Sequence, residues 1–280
     1  MSTAKPAARI LFVHGLESGP QGRKVGMLRD AGFEVECPRM PCGARDVLHD
    51  TVVFYPLLAC TMLIGLVSQY AGLLGVLLSL LAFGVALVVF SRPLTALIAR
   101  RTLARCVYLQ LACIARAAAD ERPADLVIGS SFGGAVLVEL VALCAWGAGS
   151  GAQSPSPLPA LLLLAPAHAR VAHWAGVHKV PAFPRPLRHA CTIVHGAYDM
   201  TVPISDSYAL ASSGGGGLSG GECGGMSAVS MVRLDDDGHE LRSVDAALLA
   251  RWVEELLRRR RALHECTLAA ADEDERISSH

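Results

Sequence analysis

The pentapeptide Gly129-Ser130-Ser131-Phe132-Gly133 follows the pattern G-x-S-x-G. In that pattern a serine stands on a sharp strand-to-helix turn, and small residues two places to either side let the backbone close so tightly. The turn exposes the Ser131 hydroxyl as a nucleophile and aims the next N–H, that of Phe132, at the oxygen of a reacting carbonyl. The plain alternative is a glycine-rich turn that binds a phosphate or nothing. Context favours the nucleophile, because an apolar strand over 126–129 precedes it and a helix over 135–144 follows.

A serine needs a base, and the base needs an orienting carboxylate. His239 lies in Asp235-Asp236-Asp237-Gly238-His239-Glu240, directly after the last expected strand, and Asp199 lies in the segment running from His195-Gly196 to Val202-Pro203, after the preceding strand. The chain order Ser131, Asp199, His239 is that of one particular fold. Asp206 competes with Asp199, whereas Asp235, Asp236 and Asp237 are better suited to solvating a turn. His168, His173, His178 and His189 fall in the connection after Ala165 and are less well placed. A second oxyanion donor would be the Leu16 N–H, in Val13-His14-Gly15-Leu16 after the first strand; otherwise His14-Gly15 is a simple strand-ending turn.

The elements that must carry these residues are legible from periodicity. A β-branched and aromatic run over 9–14, a helix over 22–30 stopping at Gly32, and a strand over 33–37 ending at Pro38 open a parallel α/β sheet. Helical periodicity covers 94–119, strands cover 126–130, 161–165, 191–195 and 230–234, and a last helix covers 244–261. The stretch 147–159, rich in Gly, Ser and Pro, reads as a loop, and the glycine-rich 212–225 as a mobile surface loop without catalytic content. The end, with Asp272, Glu273, Asp274 and Glu275, is expected to be disordered. No internal repeat is visible.

These residues together resemble the α/β-hydrolase-fold serine hydrolases. More narrowly, the run from Phe12-Val13-His14-Gly15-Leu16 through Glu17-Ser18-Gly19-Pro20, with Gly129 to Gly134, is similar to the small bacterial YqiA-type esterases. Those begin almost directly with the oxyanion strand, as this chain does. The resemblance covers 9–261 apart from the apolar tract and the glycine loop. It implies an ester or thioester hydrolase that needs no cofactor.

The 280 residues hold 25 Lys plus Arg and 25 Asp plus Glu, and this balance argues against a protein whose main work is gripping nucleic acid. Charged residues make up only 18% of the chain, and the excess apolarity is concentrated. Of the 39 residues over 52–90, 30 are apolar and none is charged. Gln69, Tyr70, Ala71 and Gly72 break the tract weakly, leaving segments of 17 and 18 residues at 52–68 and 73–90, each near the short end of a membrane span. An even number of crossings is required, since His14-Gly15 precedes the tract and Ser131 follows it, yet both serve one site. Arg39 and Arg45 before the tract, with Arg92, Arg100, Arg101 and Arg105 after it, put the catalytic domain on the cytoplasmic side. The alternatives are two cap helices over the sheet or an apolar dimer interface. Soluble cap helices usually carry a polar face, and this tract offers only Thr61, Ser68, Gln69 and Ser79.

The nine cysteines are odd in number, scattered and without a CxxC pair, so neither a disulfide framework nor a metal site is suggested. Cys60, Cys113, Cys144 and Cys191 read as small buried hydrophobes, and the polar start at 1–9 reads as no signal peptide.

The sequence therefore predicts a mostly parallel α/β-hydrolase sheet flanked by helices, with an inserted two-helix transmembrane hairpin. Residues 1–50 and 92–262 form the α/β domain, 51–91 the apolar insertion and 263–280 an acidic disordered tail. Ser131, Asp199 and His239 are the expected triad, with Leu16 and Phe132 as the oxyanion hole, no cofactor and no metal. The substrate is a small ester or thioester, acyl or lipid-like, met at the membrane. The rival is a catalytically silent scaffold that recruits a partner through its apolar hairpin.

Overall fold

The computed structural model describes residues 7–16, 18–48, 51–120, 122–144, 159–184, 187, 189–214 and 229–278. Within these, side chains at 44, 48, 51–54, 56–57, 67–68, 71, 82, 86–90, 144 and 267–278 are left out. Glu17, most of the expected loop at 147–159 and most of the glycine-rich stretch lie outside the described residues.

The chain runs β1 (Arg9–Val13), α1 (Arg23–Asp30), β2 (Glu34–Glu36), α2 (Ala44–Leu48), α3 (Thr51–Ala119), β3 (Leu126–Ser130) and α4 (Phe132–Cys144). It continues through β4 (Ala160–Leu164), α5 (His168–Trp174), β5 (Cys191–Gly196), α6 (Ile204–Ser213), β6 (Val229–Leu234) and α7 (Ala246–Ser278). The six strands form one sheet in the order β2-β1-β3-β4-β5-β6. Every pairing is parallel, with Val13 beside Gly129, Ser130 beside Leu164, and Gly196 beside Leu234. All strands thus end on one edge, where crossover connections can present side chains.

The central strand β4 is Ala160-Leu161-Leu162-Leu163-Leu164, apolar on both faces because helices cover both. Alternate residues divide the core. Leu11, Val13, Val127, Leu161, Leu163 and Ile193 face α3 and α4. Ile10, Phe12, Leu126, Ile128, Leu162 and Leu164 face α1 and α7, where Val25, Leu28, Leu249, Val253 and Leu256 pack. Cys113 and Cys191 are buried, but Cys60 is only half-buried, because its part of α3 does not reach the core.

Two regions depart from the sequence reading. Helix α3 is helical through the apolar tract except at Gly72, whose φ of 60° and ψ of −161° break the helical path within the expected interruption. Its C-terminal half returns to the body, where Cys106 is buried in the same cluster as Cys42, which precedes the insertion. Among the described residues no helix is long and apolar enough to cross a membrane, so the transmembrane hairpin at 52–90 is not supported there. The backbone there is one helical stretch broken at Gly72, with no charged residue between Asp50 and Arg92. What is described is strongly exposed; Leu73 is 77% and Leu74 68% accessible. The second departure is the C-terminal end, where α7 continues to Ser278 through the stretch expected to be a disordered tail. Ala269, Ala270 and Ala271 and the alternating acids and Arg276 are compatible with continued helix.

Candidate active site

Ser131 follows β3 immediately and adopts φ 53°, a left-handed conformation that a non-glycine residue holds only when its surroundings fix it. They do so through the backbone. The Ser131 N–H donates to the Leu164 carbonyl at 2.8 Å, while its own carbonyl accepts from Ala135 and Ala167 N–H at 3.2 and 3.1 Å. The flanking glycines are needed for close approach. A Cβ on Gly133 would lie 2.0 Å from the Val13 carbonyl oxygen, and one on Gly129 would meet Gly133 and Gly134 at 2.8 Å. The elbow is therefore wedged against the end of β1, and Gly15 in the turn after β1 packs against the Ser131 Cβ.

Turned outward by this geometry, the Ser131 Oγ lies 2.8 Å from His239 Nε2. His239 Nδ1 lies 2.7 Å from Asp199 Oδ2. The other carboxylate oxygen, Oδ1, accepts from the Thr201 and Val202 N–H groups at 2.8 and 2.7 Å. With a carboxylate that only accepts, Nδ1 of His239 carries the proton and Nε2 is left to accept from the serine hydroxyl. The Asp199 side chain is fully enclosed, whereas that of His239 is 23% exposed, so the acid end is dry and the reacting end open.

The loop carrying His239 is held from both sides. Asp237 is buried and accepts from the Ser243 N–H at 3.1 Å and from the Ser243 hydroxyl. Across the site, Lys24 Nζ donates to the Glu240 carbonyl at 3.0 Å, and Arg23 donates to the carbonyls of Arg242 and Val244 at 3.1 and 2.9 Å. Burial, then the neighbouring Arg23, pushes the Lys24 ammonium below its ordinary pKa.

The structure thus brings Ser131, His239 and Asp199 together. Leu16 sits in the turn after β1, and Phe132 is the buried first residue of α4. The competitors lie elsewhere. Asp206 stands in the first turn of α6, Asp235 pairs with Arg233 at 2.7 Å, and Asp237 serves the loop. His168 and His189 are buried, with Nδ1 at 3.3 Å from the Pro166 carbonyl and 2.8 Å from that of Pro159, and burial lowers the pKa of both. His14 is buried too: its Nε2 accepts from the Met40 N–H at 3.2 Å, and its Nδ1–H points to the Gly15 carbonyl at 2.8 Å, which stiffens the turn before Leu16.

Sequence reasoning missed the layer beneath Asp199. His195 Nε2 lies 3.1 Å from Asp199 Oδ2 and 3.0 Å from the Val202 carbonyl, and its Nδ1 lies 2.7 Å from Ser207 Oγ. The available signal was the spacing of His195 and Asp199, four residues apart at the end of a strand.

Two cavities are described, and the triad residues line neither. One of about 200 Å³ lies between Ser18, Lys24, Ser130 and Glu240, next to the elbow. Another of about 380 Å³ runs between α3, α4 and α5, with Leu103, Val107, Leu111, Ala135 and Val171 in its walls. Among the described residues, no group of three or more His, Cys, Asp or Glu side chains is placed to hold a metal ion.

No family model and no curated protein matches the chain. Solved structures do. Est1E from Butyrivibrio proteoclasticus, solved with ferulic acid bound, is 13% identical, with 92% of this chain and 93% of that one covered and a TM-score of 0.50. A protein of the alpha/beta hydrolase superfamily from Xanthomonas campestris pv. campestris is 21% identical over 90% of this chain and 97% of that one, with a TM-score of 0.46. Mouse alpha/beta hydrolase domain-containing protein 10 is 13% identical over 90% of each chain, with a TM-score of 0.46. The chain has the α/β-hydrolase fold, a parallel sheet flanked by helices.

Proposed function

We propose that the chain is a serine hydrolase acting on carboxylic esters or thioesters, of the kind the YqiA-type resemblance implies. The observation that carries this is the unbroken hydrogen-bonded series from Ser131 Oγ through His239 to Asp199 Oδ2. Ser131 Oγ attacks the substrate carbonyl as its proton passes to His239 Nε2. The resulting imidazolium is stabilised by the Asp199 carboxylate, and the tetrahedral oxyanion is held by the Leu16 and Phe132 N–H groups. His239 returns the proton to the leaving alcohol or thiol as that bond breaks, leaving an acyl-serine. Water, deprotonated by His239, then attacks the acyl-serine, which collapses to acid and free Ser131.

The substrate we favour is acyl or lipid-like, and the apolar exposure of α3 supports it. This helix carries the exposed apolar residues Met62, Leu63, Leu73, Leu77 and Leu81. We read 52–90 as a helical hairpin bent at Gly72 that docks the domain on a membrane from its cytoplasmic side. The burial of Cys42 and Cys106 in one cluster on either side of the tract, the break at Gly72 and the exposure of the tract support that reading.

Labelling with a fluorophosphonate probe tests the chemistry. Wild type is expected to label, while Ser131→Ala and His239→Ala do not. A folded wild type that stays unlabelled would favour the silent scaffold. Retention in the membrane pellet after a carbonate wash tests the hairpin, and release into the supernatant would reduce it to an apolar lid.

A further inference from the structure

We infer that His195 is a positioning residue that sets the orientation of Asp199 and, through it, the basicity of His239. This rests on the reading of Ser131, His239 and Asp199 as a hydrolytic triad. His195 ends β5 and is fully buried. Its ring state follows from its partners. The Val202 carbonyl at 3.0 Å from Nε2 only accepts, so Nε2 carries the proton and Nδ1 is the bare nitrogen facing the Ser207 hydroxyl at 2.7 Å. Burial pushes the ring below its ordinary pKa, which keeps it neutral. The charged and titratable groups acting on it are the Asp199 carboxylate and the imidazole of His239, with His168 a weaker neighbour.

The His195 Nε2 also lies 3.1 Å from Asp199 Oδ2, while its hydrogen bond goes to the Val202 carbonyl. The carboxylate has three donors, the Thr201 and Val202 N–H on Oδ1 and the His239 ring on Oδ2, and the His195 ring lies against Oδ2 as well. The backbone pair and the His239 ring hold the two oxygens, and His195 packs against the second. A carboxylate held at both oxygens cannot rotate about its terminal bond, so His239 is kept in the tautomer that leaves Nε2 bare toward Ser131. The second ring also draws on the negative charge of Oδ2. His195 thereby lowers the pull that Asp199 exerts on an imidazolium at His239. Ser207, itself wholly buried on α6, satisfies the opposite face of the ring and links that helix to the site.

The test compares His195→Phe, which keeps a ring but removes the donor, with His195→Gln, which offers an N–H from the corresponding position. Ser207→Ala, milder for folding, is the second probe. With an activated ester as substrate, His195→Phe is expected to lower kcat about tenfold or more with KM changed little. It should also raise the acid limb of kcat/KM by about half a pH unit, and His195→Gln should restore the limb. Ser207→Ala should move it the same way by less. In parallel, the His239 titration is followed by NMR in a Ser131→Ala background, which needs no turnover. There the His239 pKa should rise when His195 becomes Phe. A His239 pKa and pH profile unmoved in folded His195→Phe and Ser207→Ala would overturn the inference. A shifted His239 pKa in a protein that hydrolyses nothing would uphold the positioning and sink the hydrolase reading instead.

Discussion

The C-terminal edge of the sheet and the apolar half of α3 are ordered by opposite means. At the edge, almost every polar atom is committed. Ser131 is held in a left-handed conformation by three backbone hydrogen bonds, and Asp199 by donors on both oxygens. Along 58–85 of α3, leucines stand in solvent: Leu77, Leu78 and Leu81 are each more than half exposed. The first region is over-determined from within the chain and can hold strain. The second has little tertiary packing among its described residues, so its stability in place must come from local helix formation and from what covers it.

The largest effects are expected at the strongly held edge. Ser131→Ala should reduce kcat/KM by about a millionfold with the circular-dichroism spectrum intact, measured on an activated ester. Asp199→Asn should cost about ten-thousandfold, because an amide in place of the carboxylate favours the wrong His239 tautomer; a loss below tenfold would point to another carboxylate. Gly133→Ala should destabilise the fold by about 3 kcal/mol or prevent it, since its Cβ would lie 2.0 Å from the Val13 oxygen; chemical denaturation reads this directly. At the other end, Leu77→Lys should leave the unfolding midpoint nearly unchanged because Leu77 is 55% exposed. The same change should weaken flotation with phospholipid vesicles by about a hundredfold, and equal flotation would remove the membrane reading.

The smallest effect concerns pH. His168, His189 and His195 are all held below the ordinary histidine value of 6.5, chiefly by burial. Below that value the unfolded chain binds protons that the folded chain refuses, so stability should fall as pH drops from about 6.5 toward the folded-state values. His189→Gln should flatten that slope in equilibrium unfolding, whereas Leu77→Lys should not.

Much of the strong region was legible because its signals are local. The G-x-S-x-G pattern, the strand endings at His14-Gly15 and His195-Gly196, and the parallel opening of β1, α1 and β2 each lie within a few residues of one another. His195 was legible as part of a strand ending but not as a partner of Asp199. A buried histidine looks the same in sequence whether it faces a carboxylate or a carbonyl, and Ser207 approaches it from another helix. The short helices α5 and α6 went unread because seven and ten residues carry too little periodicity. The tail at 263–278 misled through its acidic cluster, although the residues before it are good helix formers.

The bond from the Met40 N–H to His14 Nε2 has a consequence for how substrate arrives. It pins the chain just after β2 to the turn that precedes Leu16, so the insertion departs from the same edge of the sheet on which Ser131 and His239 lie. A domain tethered through 52–90 would therefore present its mouth toward whatever holds the tether. Encounter with substrate would become a search in two dimensions, and the quantity that saturates the enzyme would be molecules per unit area of surface, with bulk concentration mattering only through how much substrate that surface takes up.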